Sequence, residues 1–151
     1  MEIRRMKTSD VPAIIHLGAR MHEESQYSIL NFLPEKVVEK CHQVINHQQM
    51  LGLVAIQDGN IIAMIGGQIA AYEYGDDLVA SDILVYVDPA HRASRAFLML
   101  VKGYVQWAKE QGASMIFMSQ TTGVNMVAVG NLYTRLGFEP VGGIYRMAIG
   151  G

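Results

Sequence analysis

Apolar residues along this chain recur with two periods, and the switches between them outline the elements. Glu2 to Met6 reads as a short first strand. After Ser9-Asp10, a helix N-cap, Val11, Ile14, Ile15, Leu17 and Gly18 keep helical spacing in a helix that fades near Glu24. Ser25 to Leu33 carries Tyr27, Leu30 and Phe32 without a clear period, as a loop or short helix over a site would. Pro34 opens a second helix with Val37, Val38, Cys41, Val44 and Ile45 on one face. Leu51–Gln57 and Ile61–Tyr74 flank Asp58-Gly59-Asn60, a hairpin signal, and Gly75-Asp76-Asp77 turns the chain into a strand over Val79–Val87.

Ala96, Phe97, Leu100, Val101, Tyr104, Val105 and Ala108 then hold helical spacing up to Gly112, a suitable residue to end a helix. Met115–Ser119 reads as a short buried strand. A last helix ends near Leu136-Gly137, and Phe138–Ile149 supplies one or two final strands. The order β-α-α-β-β-β-α-β-α-β predicts an α/β fold of mixed α+β type, with helices on both faces of a mixed sheet. Within it, the Val79–Val87 strand, its helix and the Met115 strand form a parallel crossover unit.

Composition narrows the class more than the chemistry. The chain has 151 residues, half of them apolar and 17% charged, with no repeat and no linker-like stretch. One domain over residues 1–151 is therefore expected. A formal charge of −2 gives no reason to expect nucleic acid or an anionic membrane as partner. Cys41 is the only cysteine, so no intramolecular disulfide forms, and a reducing compartment is expected. No run approaches the roughly 20 apolar residues of a membrane span, and the N-terminus lacks a signal-peptide core. A cytoplasmic location follows as the expectation.

Two stretches carry candidate chemistry. In Val85–Phe97 a β-branched strand ends at Pro89, and a basic loop hands over to an apolar helix. A helix N-terminus with free N–H groups is a ready phosphate site. Ala93 and Ser94 are small enough for close approach, and Arg92 and Arg95 add charge-assisted donors. The plain alternative is an ordinary connection with two solvated arginines. In the second stretch, Asn125, Tyr133 and Gly137-Phe138, the tyrosine either anchors a late helix through its ring or offers its hydroxyl as a proton donor.

Together and in this order, the two stretches resemble the GNAT superfamily of acyl-CoA-dependent N-acetyltransferases. That family has a strand ending V-x-P, then R/Q-x-x-G-x-G/A and a long helix, and later N…Y-x-x-x-G-F. Here the counterparts are Val87-Asp88-Pro89, Arg92–Phe97 and Asn125–Phe138. The resemblance runs over nearly the whole chain. The M-H-E-E-S-Q-Y and T-T-G-V-N segments further resemble small members encoded by phages and prophages. The departure lies in the loop, where Arg95 stands in place of glycine and Phe97 in place of glycine or alanine. Arg95 there either bridges to a pyrophosphate or obstructs it.

The resemblance implies a mostly antiparallel central sheet with a splayed parallel strand pair that takes acetyl-CoA. It implies that Val85 and Val87 bond the acyl carbonyl and pantetheine through their backbones. It further implies that Arg92, Ala93, Ser94, Arg95, Ala96 and Phe97 hold the pyrophosphate, that Asn125 touches the cofactor and that Tyr133 protonates the departing thiolate. A base is also needed for the attacking amine. Glu73, near the end of the long strand, and Asp82, within the next one, are the candidates. Asp82 is preferred for sharing a strand with the cofactor contacts. Sequence alternation places Asp82 and Leu84 on one face, with Ile83 and Val85 on the other. Glu24, Tyr27 and Phe32, between the first two helices, are the substrate-binding candidates, suited to a cationic amine. The partner implied is an amine acceptor, small molecule or protein, and a homodimer is common in the family. The competing reading is a binding or interaction module that keeps the fold with impaired catalysis. No metal is expected: His22-Glu23-Glu24 lacks a second histidine, and Cys41, His42 and His47 do not make a metal face.

Overall fold

The computed structural model describes residues 1–150. Five strands lie side by side in chain order: β1 (Glu2–Arg5), β2 (Met50–Gln57), β3 (Asn60–Ala71), β4 (Leu78–Val87) and β5 (Ala113–Phe117). The first four pair antiparallel, and β4 pairs with β5 in parallel. The helices are α1 (Val11–Glu24), α2 (Pro34–Asn46), α3 (Ala96–Glu110) and α4 (Met126–Arg135). The mixed, mostly antiparallel sheet and the parallel β4–α3–β5 unit match the sequence-based expectation.

Each face of the sheet has its own core. Val11, Ile14 and Leu17 of α1 and Cys41 of α2 pack on Val54, Met64 and Tyr86. On the other face, Ala96, Leu100, Val101, Tyr104, Trp107 and Ala108 of α3 cover Leu53, Ile65, Ala80 and Val87, with Tyr133 of α4 beside them. Trp107 and Tyr104 supply large apolar area here, and Gly67 makes room for the latter. A Cβ on Gly67 would lie 2.5 Å from the Tyr104 ring. The β2–β3 turn works because Asp58 and Gly59 both take positive φ, 52° and 79°.

The structure departs from the sequence reading in four places. Phe138–Ile149 forms no strand, and residues 139–150 are exposed. Pro140 removes a ladder donor, Gly142-Gly143 raises the entropy of ordering, and no neighbouring strand pairs with the segment. The long strand ends at Ala71 instead of Tyr74, because Tyr72 N–H and Gly75 N–H close a turn onto Asp77 C=O and Tyr72 C=O. The strand after α3 is an edge strand with Met115 and Phe117 exposed, and is not buried. Asp10 precedes α1 as expected, but its carboxylate is taken by Arg4 (2.7 and 2.9 Å) and by the Lys7 N–H (2.9 Å), so it caps the turn before the helix.

Candidate active site

The site begins at an irregularity in β4. Gly66 pairs with Leu84 and Gly67 with Asp82, so Ile83 is an extra residue without a partner. Such a bulge changes which face each following side chain meets. Leu84 and Tyr86 face α1 and α2, whereas Val85 and Val87 face α3. Asp82 lies with the α3 side, close to the hydroxyls of Tyr104 and Tyr133. This corrects the alternation that grouped Asp82 with Leu84: the bulge shifts the phase by one residue.

Beyond the bulge the two parallel strands part. Their register runs only over Leu78–Ser81 against Ala113–Phe117. From Asp82 onward, β4 has no strand on that side among the described residues. The strands stay tied at the fork by Ser119, whose N–H (3.1 Å) and Oγ (3.0 and 3.1 Å) donate to the Asp82 carboxylate. A cleft of about 430 Å³ opens there, lined by Val85 and Val87 on one side and by Gln120, Asn125 and Tyr133 on the other. That volume falls within the range of small-molecule sites. The Gln120 Oε1 is buried in this region with no hydrogen-bond partner among the described residues.

Tyr133 is held by the way α4 ends. Phe138 N–H donates to Tyr133 C=O (3.0 Å) and Gly137 N–H to Thr134 C=O (3.1 Å), with Gly137 at φ 96°. These two bonds are the Schellman ending, and the apolar contact that accompanies it is the Phe138 ring, 5.8 Å from that of Tyr133. The Y-x-x-x-G-F spacing is therefore a helix stop that fixes the tyrosine. Phe97 packs on its other side at 5.7 Å. The residue is only 7% exposed, and its hydroxyl donates to Ser119 C=O at 2.8 Å. Burial, with the nearby Asp82 charge, pushes its pKa well above the usual tyrosine value, so it keeps its proton across physiological pH. For Asp82, burial raises the pKa, against the lowering effect of the Ser119 bonds.

Two helices begin beside this region, with Phe97 of α3 and Asn125 before α4 in the cleft wall. The first helical bond of α3 runs from Met99 N–H to Arg95 C=O (3.0 Å), which leaves the N–H groups of the first turn without helical acceptors. Ser94 Oγ accepts one of them, from Ala96, at 3.3 Å. Arg95 sits at φ −83° and ψ 4°, and no residue from Asp88 to Phe97 has positive φ. The absent glycine therefore costs no backbone strain, since this turn needs none. Arg95 is exposed and forms no ion pair among the described residues. At α4, Asn125 occupies the left-handed region (φ 49°, ψ 44°), which asparagine tolerates better than most residues, and it lines the cleft.

The remaining expected site residues separate. Arg92 lines the cleft, but its guanidinium pairs with Glu24, donates to Val87 C=O (3.3 Å) and lies over the Tyr86 ring at 5.5 Å. Burial opposes ionisation of Glu24, but the paired Arg92 guanidinium, with the Tyr86 hydroxyl nearby, outweighs it and holds its pKa below the usual value. Burial beside Glu24 pushes the Tyr86 hydroxyl up to about 12. Ala96 is fully buried in the α3 core, and Ala93 is exposed on the loop. Tyr27 lines the cleft and also a second cavity, whose wall includes Phe32. Glu73 lies in the exposed turn after β3, outside both cavities. Sequence reasoning missed Ser119 and Gln120. Their signal was the polar S-Q-T-T run directly after an apolar strand.

Comparison with known proteins agrees with this geometry. Residues 18–138 match the model of the acetyltransferase (GNAT) family. No curated protein matches the chain. Among solved structures, an aminoglycoside antibiotic 6'-N-acetyltransferase from Acinetobacter haemolyticus is 21% identical with a TM-score of 0.74, covering 98% of this chain and 97% of that one. AAC(6')-Iy in complex with the bisubstrate analog CoA-S-monomethyl-acetylneamine is 17% identical with a TM-score of 0.76, covering 97% of each chain. The ribosomal-protein-alanine N-acetyltransferase from Brucella melitensis biovar Abortus 2308 is 15% identical with a TM-score of 0.71, covering 99% of this chain and 100% of that one. At these identities the structures establish the fold, while the family match spans most of the chain. The chain belongs to the GNAT acetyltransferase family, whose acetyl donor is acetyl-CoA.

Proposed function

We propose that this one-domain protein is a cytoplasmic N-acetyltransferase that moves the acetyl group of acetyl-CoA to a primary amine by direct attack. The observation that carries the reading is the grouping of an unpaired strand edge, two helix N-termini and a buried tyrosine hydroxyl around one cleft. Bound acetyl-CoA supplies an activated thioester. The backbones of Val85 and Val87 hold the pantetheine and acyl oxygen, and their N–H groups oppose the charge that develops on that oxygen. The opening turn of α3, with Ser94 and Arg95, holds the pyrophosphate, and Arg92 adds positive charge from the cleft wall. Asn125 contacts the cofactor from the start of α4.

Asp82, through water, takes a proton from the attacking amine, and its burial brings it closer to a useful base strength. Tyr133 gives its proton to the leaving sulfur. One N–C bond forms and one C–S bond breaks, so an amine and acetyl-CoA become an acetamide and free coenzyme A. Glu73, outside the cavities, is not the base in this reading, and Glu24 acts through Arg92. Exposed apolar side chains on the tail, Tyr145 at 97% among them, support a homodimer. The test is release of free thiol from acetyl-CoA with a panel of primary amines. Binding of acetyl-CoA without turnover of any amine would favour the impaired binding module.

A further inference from the structure

A second cavity, of about 380 Å³, lies between α1, α2 and the sheet and meets the cleft along Met21, Tyr27, Ile83 and Leu84. Its wall is mostly apolar, with Ile14, Phe32, Val37 and Met64 among the contributors, and no carboxylate lines it among the described residues. Of the carboxylates at the neighbouring cleft, Glu24 pairs with Arg92 and Asp82 accepts from Ser119, while Glu23, Glu35 and Glu39 lie exposed outside the cavity lining. The buried Ser25 hydroxyl and the half-buried His22 ring are likewise occupied. Ser25 Oγ donates to His22 C=O at 3.0 Å and accepts from Tyr27 N–H at 3.2 Å, and the His22 ring bonds Leu30 C=O at 2.8 Å. Beside the neutral amide of Asn31, the charge at the rim is positive. Lys36 and Lys40, one turn apart on α2, are exposed and form no ion pair among the described residues.

Resting on the acetyltransferase reading, we propose that the acceptor is a monoamine with an apolar body and a carboxylate. Its apolar body fills the second cavity, its amine reaches the cleft past Ile83 and Leu84, and its carboxylate meets Lys36 and Lys40. A polycation such as an aminoglycoside is disfavoured on both counts. Its further ammonium groups would lose water without finding a carboxylate, and the rim lysines would repel them. The reaction is the one already balanced: the amine nitrogen gains the acetyl group and loses one proton, and the sulfur gains one.

The test uses the full chain, acetyl-CoA and a panel of ω-amino acids (6-aminohexanoate, 8-aminooctanoate, 4-(aminomethyl)benzoate), their amides, and kanamycin. Free thiol release and thermal shift in the presence of coenzyme A are both read. The acids should exceed their amides in kcat/KM by about tenfold, the effect of one charge-assisted contact of roughly 1.4 kcal/mol. Kanamycin should be the poorest acceptor. Lys36→Gln with Lys40→Gln should erase the acid–amide difference through KM, and Val37→Phe, which fills the cavity, should raise KM for apolar acceptors. A preference for kanamycin, an unchanged acid–amide difference in the double variant, or equal use of apolar and polar amines overturns the proposal. If acetyl-CoA itself gives no thermal shift, the acetyltransferase reading fails instead. Thermal shift by the amino acids alone then decides the cavity assignment: a shift from the acids that their amides do not give upholds it, and none overturns it.

Discussion

Removing one oxygen from Tyr133 separates its structural role from its chemical one. In Tyr133→Phe the ring keeps its packing against Phe97 and Phe138, while the 2.8 Å bond to Ser119 C=O is lost. One buried hydrogen bond of this kind contributes about 0.5–1.5 kcal/mol, and for a chain of this size each kcal/mol corresponds to roughly 2–4 °C in Tm. A drop of a few degrees is expected. Tyr104→Phe is the matched control. It loses a 3.0 Å bond to Phe117 C=O from a fully buried ring that does not line the cleft. Both variants should lose similar stability, read by thermal unfolding. Only Tyr133→Phe should lose turnover, by about 10²–10⁴ for a missing general acid, with acetyl-CoA affinity nearly unchanged. Turnover within twofold of the parent in Tyr133→Phe, or equal losses in the two variants, would refute the assigned proton donor.

Other perturbations bear on separate parts of the argument. Gly137→Ala must adopt φ 96° with a Cβ, which costs about 1–2 kcal/mol; a drop in Tm together with lower kcat is expected, since the same helix end fixes Tyr133. Gly67→Ala drives a Cβ into the Tyr104 ring and should cost about 1–3 kcal/mol by denaturant unfolding. The Arg4 bonds hold the pKa of Asp10 below its ordinary value, against a smaller raising effect of burial, so its contribution is present above the unfolded value near 4 and is lost as pH falls through the folded one. Asp10→Asn should therefore be less stable than the parent at pH 7, and the gap should close on acidification. Arg95→Gln should weaken acetyl-CoA binding by calorimetry, whereas tighter binding would mean that Arg95 obstructs the loop.

The legible part of the fold was the part governed by local period and turn chemistry. The β2–β3 hairpin followed from Asp58-Gly59-Asn60, and the first three helices from 3.6-residue spacing. Tyr133 and its helix stop were visible because a Schellman ending has a fixed sequence spacing. The side of the sheet that Asp82 meets was not visible. One unpartnered residue, Ile83, decides it, and a bulge in a β-branched run leaves no mark on the alternation around it. The Glu24–Arg92 pair joins residues 68 positions apart, a separation no local pattern encodes. The tail from Phe138 read as one or two strands, but an apolar, β-branched stretch does not by itself supply a pairing partner.

The most direct measurement of the central claim, that the cleft between β4 and β5 takes acetyl-CoA, is thermal unfolding with and without the ligand. At about 100 times its dissociation constant, acetyl-CoA should add roughly 2.7 kcal/mol, a rise of some 5–11 °C. That rise is expected in the parent and in Tyr133→Phe alike. No shift at millimolar acetyl-CoA would contradict it.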